Sequence, residues 1–199
     1  MTDDTLDEHS NEMIDNDFDT FMHDTEHTMA LGGLKNPFVL IYTASDNGKR
    51  GTAYVEMASA SNDNTKPMLL SLMGIGAKLA KEKEMPYMVM FGAPGHAERY
   101  SIKDADRLDE IAEEIERRMD GGDTVVDTIM CALLMVDGRR RASVSFFESP
   151  ADGGLVFYKR HMIDDETAFM VGSGVDVFDL CRSVFVGAAE VLGGDKGGK

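Results

Sequence analysis

Apolar positions along this chain recur at several distinct spacings. Ile14, Phe18, Phe21 and Met22 fall at i, i+4, i+7 and i+8, on one face of a helix ringed by Asp15, Asp17, Asp19 and Asp24. So short a helix is marginal alone in water, because nucleation costs more than a few turns recover. It is expected to form mainly on a surface that buries its stripe. Phe38–Tyr42 is instead an unbroken apolar run, as in a strand buried on both faces. Asn47-Gly48 then favours a tight turn into a returning strand, Thr52–Met57. Pro67 sits in the first turn of a helix reaching about Glu84, with Leu69, Leu70, Leu72, Met73, Ile75 and Leu79 inward.

Tyr87–Phe91 reads as a short strand that leads into a glycine-rich loop, Gly92–Ser101. Asp104–Met119 has a helical stripe, ended by Gly121-Gly122. The second half reads as a meander of Ile129–Val136, Arg139–Phe147 and Leu155–Met162, with Asp137-Gly138 as a two-residue hairpin turn. Along it Ala142, Val144 and Phe146 face one way, and Ser143 and Ser145 the other. The doublets of Val125–Leu134 also fit a helix, so only the later part is assigned to a strand. Val175–Leu192 is a helix apolar around most of its circumference, expected either sandwiched within the fold or buried in a homodimer contact.

The order β-β-α-β-α-β-β-β-α predicts an α+β fold: a largely antiparallel sheet, with room for one parallel crossover, and helices packed on one face. The expected division is an acidic, mostly disordered arm over 1–34 with a short amphipathic segment, one domain over 35–193 and a flexible tail over 194–199. Charge sharpens this picture. The first 34 residues hold ten of the 36 acidic residues and no Lys or Arg, hence −10 of the formal −16. Like charges in a block repel and mark an exposed arm that meets a partner. Cys131 and Cys181 share no metal-ligand spacing and read as reduced core thiols of a cytoplasmic protein, with a disulfide between them left open. No run is apolar enough for a membrane span, and no cofactor is expected.

Candidate chemistry is sparse. A simple hairpin through residues 150–154 sets Arg141 opposite Arg160 and brings Arg139 and Arg140 near Lys159 and His161. Like charges opposed across a sheet destabilise by up to ~1 kcal/mol a pair, which a bound anion would offset. The plainer reading is a solvated edge whose charges deter edge-to-edge pairing. Tethered beside such a patch at an effective concentration on the order of mM, the acidic arm is expected to occupy it as a pseudo-ligand until a true partner displaces it.

His23-Asp24-Thr25-Glu26-His27 resembles, over five residues, the H-x-x-E-H string of inverzincin metalloproteases. Those enzymes carry it on a helix inside a large domain, whereas this string lies in a polar arm. His23 and His27 therefore remain only as candidates for adventitious metal binding with Asp19. His96, Glu98 and Arg99 in the Gly92–Ser101 loop are candidates for acid–base chemistry, without an accompanying nucleophile. Gly74-Ile75-Gly76 lacks a phosphate-loop pattern and reads as small residues for close helix packing.

The leading expectation is a protein-binding regulatory protein, an adaptor, inhibitor or chaperone-like factor. Its arm docks a basic or apolar groove of another protein through Ile14, Asp17, Phe18, Asp19, Phe21 and Met22. The arm's charge also allows it to mimic a nucleic-acid backbone. The alternatives are an anion or nucleic-acid binder using the arginine patch, and a small enzyme using the Gly92–Ser101 loop.

Overall fold

The computed structural model describes residues 10–31, 34, 36–57, 65–96, 127–148, 156–163, 170–171 and 175–194. Within them the elements are α1 (Asn11–Ala30), β1 (Phe38–Ser45), β2 (Arg50–Glu56), α2 (Thr65–Lys81), β3 (Glu84–His96), β4 (Asp127–Met135), β5 (Arg140–Glu148), β6 (Val156–Met162), β7 (Met170–Val171), β8 (Val175–Asp176) and α3 (Val177–Gly194). Six strands form one sheet in the order β2-β1-β3-β4-β5-β6, while β7 and β8 pair apart from it. Every neighbouring pair is antiparallel, so the fold is α+β. The helix expected over Asp104–Met119 and the tail beyond Gly194 lie outside the described residues. Among those described, no helix is long and apolar enough to cross a membrane.

Both faces of the sheet are covered, which accounts for its apolar runs. On one face α2 and α3 close a core over Val39, Ile41, Val89, Phe91, Ala132, Leu134 and Val144. On the other, Ile14, Phe18, Phe21 and Met22 of α1 pack over Phe38, Met88, Met90, Ile129, Cys131, Leu133 and Met135. Alternate residues of β3 and β4 thus enter different cores, and a strand buried on both sides loses polar alternation. This resolves the helix-like doublets before Leu134: Asp127–Met135 is a strand throughout. Where a short amphipathic segment in a disordered arm is expected, residues 11–30 form a helix capped by Ser10, whose hydroxyl accepts from the Met13 amide. The stripe of four apolar residues finds its surface on the chain's own sheet.

The two hairpins β1–β2 and β4–β5 share one turn. In each, the amide opening the turn donates to the carbonyl four residues on: Ser45 to Lys49 at 2.9 Å and Met135 to Arg139 at 2.8 Å. Asn47 and Asp137 accept from the amides of Lys49 and Arg139. Gly48 and Gly138 take φ of 77° and 94°, while Asn47 and Asp137 keep negative φ. A two-residue type I′ turn needs positive φ at both central positions, so these are three-residue loops with glycine in the left-handed place.

α2 and α3 cross at paired glycines. A Cβ on Gly76 would lie 1.9 Å from the Val184 carbonyl oxygen, and one on Gly187 would lie 1.9 Å from that of Met73. The apolar circumference of α3 is taken up by α2 beside it and by β3 and β4 beneath it and does not call for a second subunit. Gly74 meets nothing within 4 Å, so of the two α2 glycines only Gly76 is there for close packing. Leu70 of α2, expected inward, instead faces outward.

β3 runs five residues past the expected Phe91. Gly92 to His96 pair with Cys131 to Asp127 of β4, and Gly92 also faces Phe38. A Cβ on Gly92 would sit 2.6 Å from the Phe38 ring and 3.3 Å from the Phe21 ring. Glycine here makes a pit into which the aromatic contact between α1 and β1 settles. Beyond Gly92 the strand pairs, among the described residues, with β4 alone, and the missing donor of Pro94 is tolerated on the other side.

Candidate functional site

α1 is pinned at both ends by ion pairs to the sheet. Near its start Asp15 accepts from Arg141 Nε at 2.6 Å. Near its end Glu26 is buried and takes both a hydroxyl and a guanidinium. Ser145 Oγ donates to Oε1 at 2.5 Å, and Arg160 spans both carboxylate oxygens at 2.9 and 2.5 Å. The hydrogen bond that Arg160 donates to Glu26 raises the Arg160 pKa above its ordinary value despite opposing desolvation. Along the same face Ile14, Phe18, Phe21 and Met22 are 0, 1, 6 and 1% exposed. These expected partner anchors therefore hold α1 to its own body, while Asp17 and Asp19 stay exposed.

The six-residue basic patch does not assemble as the simple hairpin predicts. Ser145, not Arg141, pairs with Arg160: the β5–β6 register is already offset by three residues where it begins at Glu148 and Val156, and the irregularity at Phe146/Phe147 adds one more. Arg141 is four residues further along, roughly 13 Å. Strand alternation also divides the run: Arg141 joins Ser143 and Ser145 under α1, whereas Arg140 lies on the other face, 5.0 Å over the Phe178 ring. Arg139 pairs with Asp137 at the turn. Burial pushes the Asp137 carboxyl up, but hydrogen bonds from the Arg139 side chain and amide outweigh it and hold it below the ordinary value. Lys159 and His161 are β6 residues opposite Phe146 and Val144.

The remaining candidates separate as well. Gly92–His96 belongs to β3 rather than to a loop, and Glu98 and Arg99 lie outside the described residues. His23 and His27 stack on the exposed side of α1 with ring centroids 6.5 Å apart. Glu26, the glutamate of the same string, turns inward to Arg160, so it could not serve a metal held by the two histidines. Among the described residues no cluster of three or more His, Cys, Asp or Glu could hold a metal ion. Cys131 and Cys181 are free and buried in opposite cores, so they do not pair.

What the sequence does not announce is a groove of about 710 Å³ between α1 and the β1–β2 hairpin. α1 covers mainly β3, β4 and β5, so among the described residues the groove opens over the sheet face toward β2. The floor is aromatic: Phe38 stacks on Tyr54 at 5.5 Å between centroids, and Tyr42 meets Tyr87 at 6.4 Å. Asp17 and Asp24 line the helical wall, and Arg50 and Thr52 the strand wall. Burial first, then Asp17 and, more weakly, Asp24, push the Tyr42 phenol up. Burial does the same for Tyr87, with Asp17 reinforcing and Arg50 opposing. Both hydroxyls thus stay protonated, able to donate and accept. The three tyrosines are 45 residues apart at their extremes, and only the strand pairing β2-β1-β3 joins them.

Comparison with protein-family models, curated proteins and solved structures found no match.

Proposed function

We propose that this chain is a protein-binding regulator, an adaptor or inhibitor, that captures a basic segment of another protein in the groove between α1 and β1–β2. The observation that carries this reading is the pairing of Asp17 and Asp24 with a floor of Phe38, Tyr42, Tyr54 and Tyr87. Carboxylates and aromatic faces together are the chemistry that holds Lys and Arg side chains. The groove's volume lies within the usual range for ligand clefts. The net charge of −16 steers a cationic partner toward the surface. β2 is an outer strand with alternate side chains exposed, so an extended segment can add main-chain hydrogen bonds beside the groove. In this reading the acidic segment acts through its outward aspartates, and its apolar residues serve to position them. Two buried thiols suit a reducing compartment such as the cytoplasm.

Fluorescence anisotropy with a labelled peptide alternating Lys or Arg with Leu or Tyr tests it. Asp17→Asn with Asp24→Asn is expected to weaken binding at least about tenfold, roughly 1.4 kcal/mol. Tyr54→Ala should weaken it comparably, and added salt should weaken it further. Affinity unchanged in both variants would contradict the groove as the site.

A further inference from the structure

We propose that the sheet face beneath α1 is a binding seat for an acidic amphipathic helix, and that α1 is its resident occupant, exchangeable for a helix of the same chemistry from a partner protein. The seat is distinct from the groove and does not depend on it.

Three observations point the same way. First, α1 is not a helix by its own composition. Eleven of its twenty residues are Asp, Asn, Thr or His, all poor helix formers. Thr20, Thr25 and Thr28 each donate back to the carbonyl four residues earlier, a contact that slightly weakens a helix. Its order therefore comes from the seat, so for α1 docking and folding are one event.

Second, the seat reads a definite pattern. It accepts four apolar side chains at i, i+4, i+7 and i+8 and takes a carboxylate at each end, on Arg141 and on Arg160 with Ser145. The two carboxylates are eleven residues apart, about 16 Å along a helix. A neutral or basic helix would leave both guanidinium groups without an anion.

Third, the floor of the seat includes Met88, Met90 and Met135. Unbranched thioether side chains repack around differing partners more readily than branched ones. α1 also stands as a layer of its own: its extensive contacts are to β3, β4 and β5, whereas α2 and α3 hold each other on the far face. The opposite core can persist while α1 leaves.

Exchange has a consequence for the groove. Asp17, Asp24 and Phe21 of α1 line one wall of it, so a partner helix that replaces α1 replaces that wall. A groove ligand and a partner helix would each weaken the other by the same factor.

The probe is a labelled peptide of residues 10–31 added to the full-length chain. Its binding to the natural chain is reduced by the tethered α1, which competes at an effective concentration on the order of mM. Weakening the resident helix by Phe18→Ala should strengthen peptide binding at least about tenfold, and the gentler Asp15→Asn by about two- to fivefold. Arg141→Glu with Arg160→Glu should abolish it, and a peptide with its acids changed to Asn and Gln should not bind. A Phe18→Ala chain that fails to fold leaves Asp15→Asn to decide. No peptide binding to a folded, α1-weakened chain overturns the proposal. Formation of a dimer that the peptide dissolves would assign the seat to a second copy of this chain and overturn the partner protein as occupant.

Discussion

Glu26 combines burial with three hydrogen bonds from two strands, which makes it the most consequential polar residue of α1. Glu26→Ala should cost about 1.5–3 kcal/mol in urea unfolding, the usual range for hydrogen bonds to a charged group, whereas the more exposed Asp15→Ala should cost under about 1 kcal/mol. Equal losses at the two positions would refute the asymmetry. The thiols give a second expectation. Burial pushes Cys131 up to about 12 and pushes Cys181 up as well. Between an unfolded value near 9 and these folded values, the native state holds protons that the unfolded chain has lost. Their contribution is fully present below about pH 9 and is lost as pH rises, by up to about 1.4 kcal/mol per unit for each thiol. Cys131→Ala should flatten that alkaline decline, as read from urea midpoints between about pH 8 and 10.5. At this scale the sequence identifies the buried stripe of α1 because periodicity is local. It does not identify the partner of Arg160, since the pairing of β5 with β6 begins three residues away from the simple hairpin's register and the irregularity at Phe146/Phe147 moves it by one more.

Among the elements, the α2–α3 crossing has the least room to adjust. Gly76→Ala drives a Cβ into backbone, which cannot rotate away, so a loss at or beyond ~3 kcal/mol is expected. Gly74→Ala, two residues earlier on the same helix, should instead stabilise by about 0.5–1 kcal/mol because it lowers unfolded-state entropy without a clash. Thermal unfolding of both variants checks the contrast, and a similar sign for the two would contradict the crossing. The hairpins are legible because Asn47-Gly48 and Asp137-Gly138 determine local dihedrals. Their loop type is less so, because the choice between two and three residues rests on whether the residue before glycine takes positive φ. β3 is underread for a related reason: Gly92, Pro94 and Gly95 look like loop punctuation. In the fold they are a pit for two aromatic rings and a stretch that, among the described residues, pairs on one side only.

For the whole molecule, a charge block that reads as an arm becomes a third layer once a surface of matching chemistry exists. The acidic residues within residues 15–26 of that block divide by helix face. Asp15 and Glu26 meet arginines, Asp17 and Asp24 line the groove, and Asp19 remains outward. No local pattern marks the groove, because its wall and floor come from segments joined only by sheet order and by the docking of α1. Seat and groove therefore share one premise, that residues 11–30 are seated on β3, β4 and β5. Hydrogen–deuterium exchange of the full chain tests it most directly. Amides of residues 14–30 are predicted to be protected well above a free peptide, yet less than those of β3 and β4, and to gain protection when a basic peptide fills the groove. Exchange of residues 14–30 at the rate of an unstructured chain, with or without that peptide, would contradict both the seat and the groove.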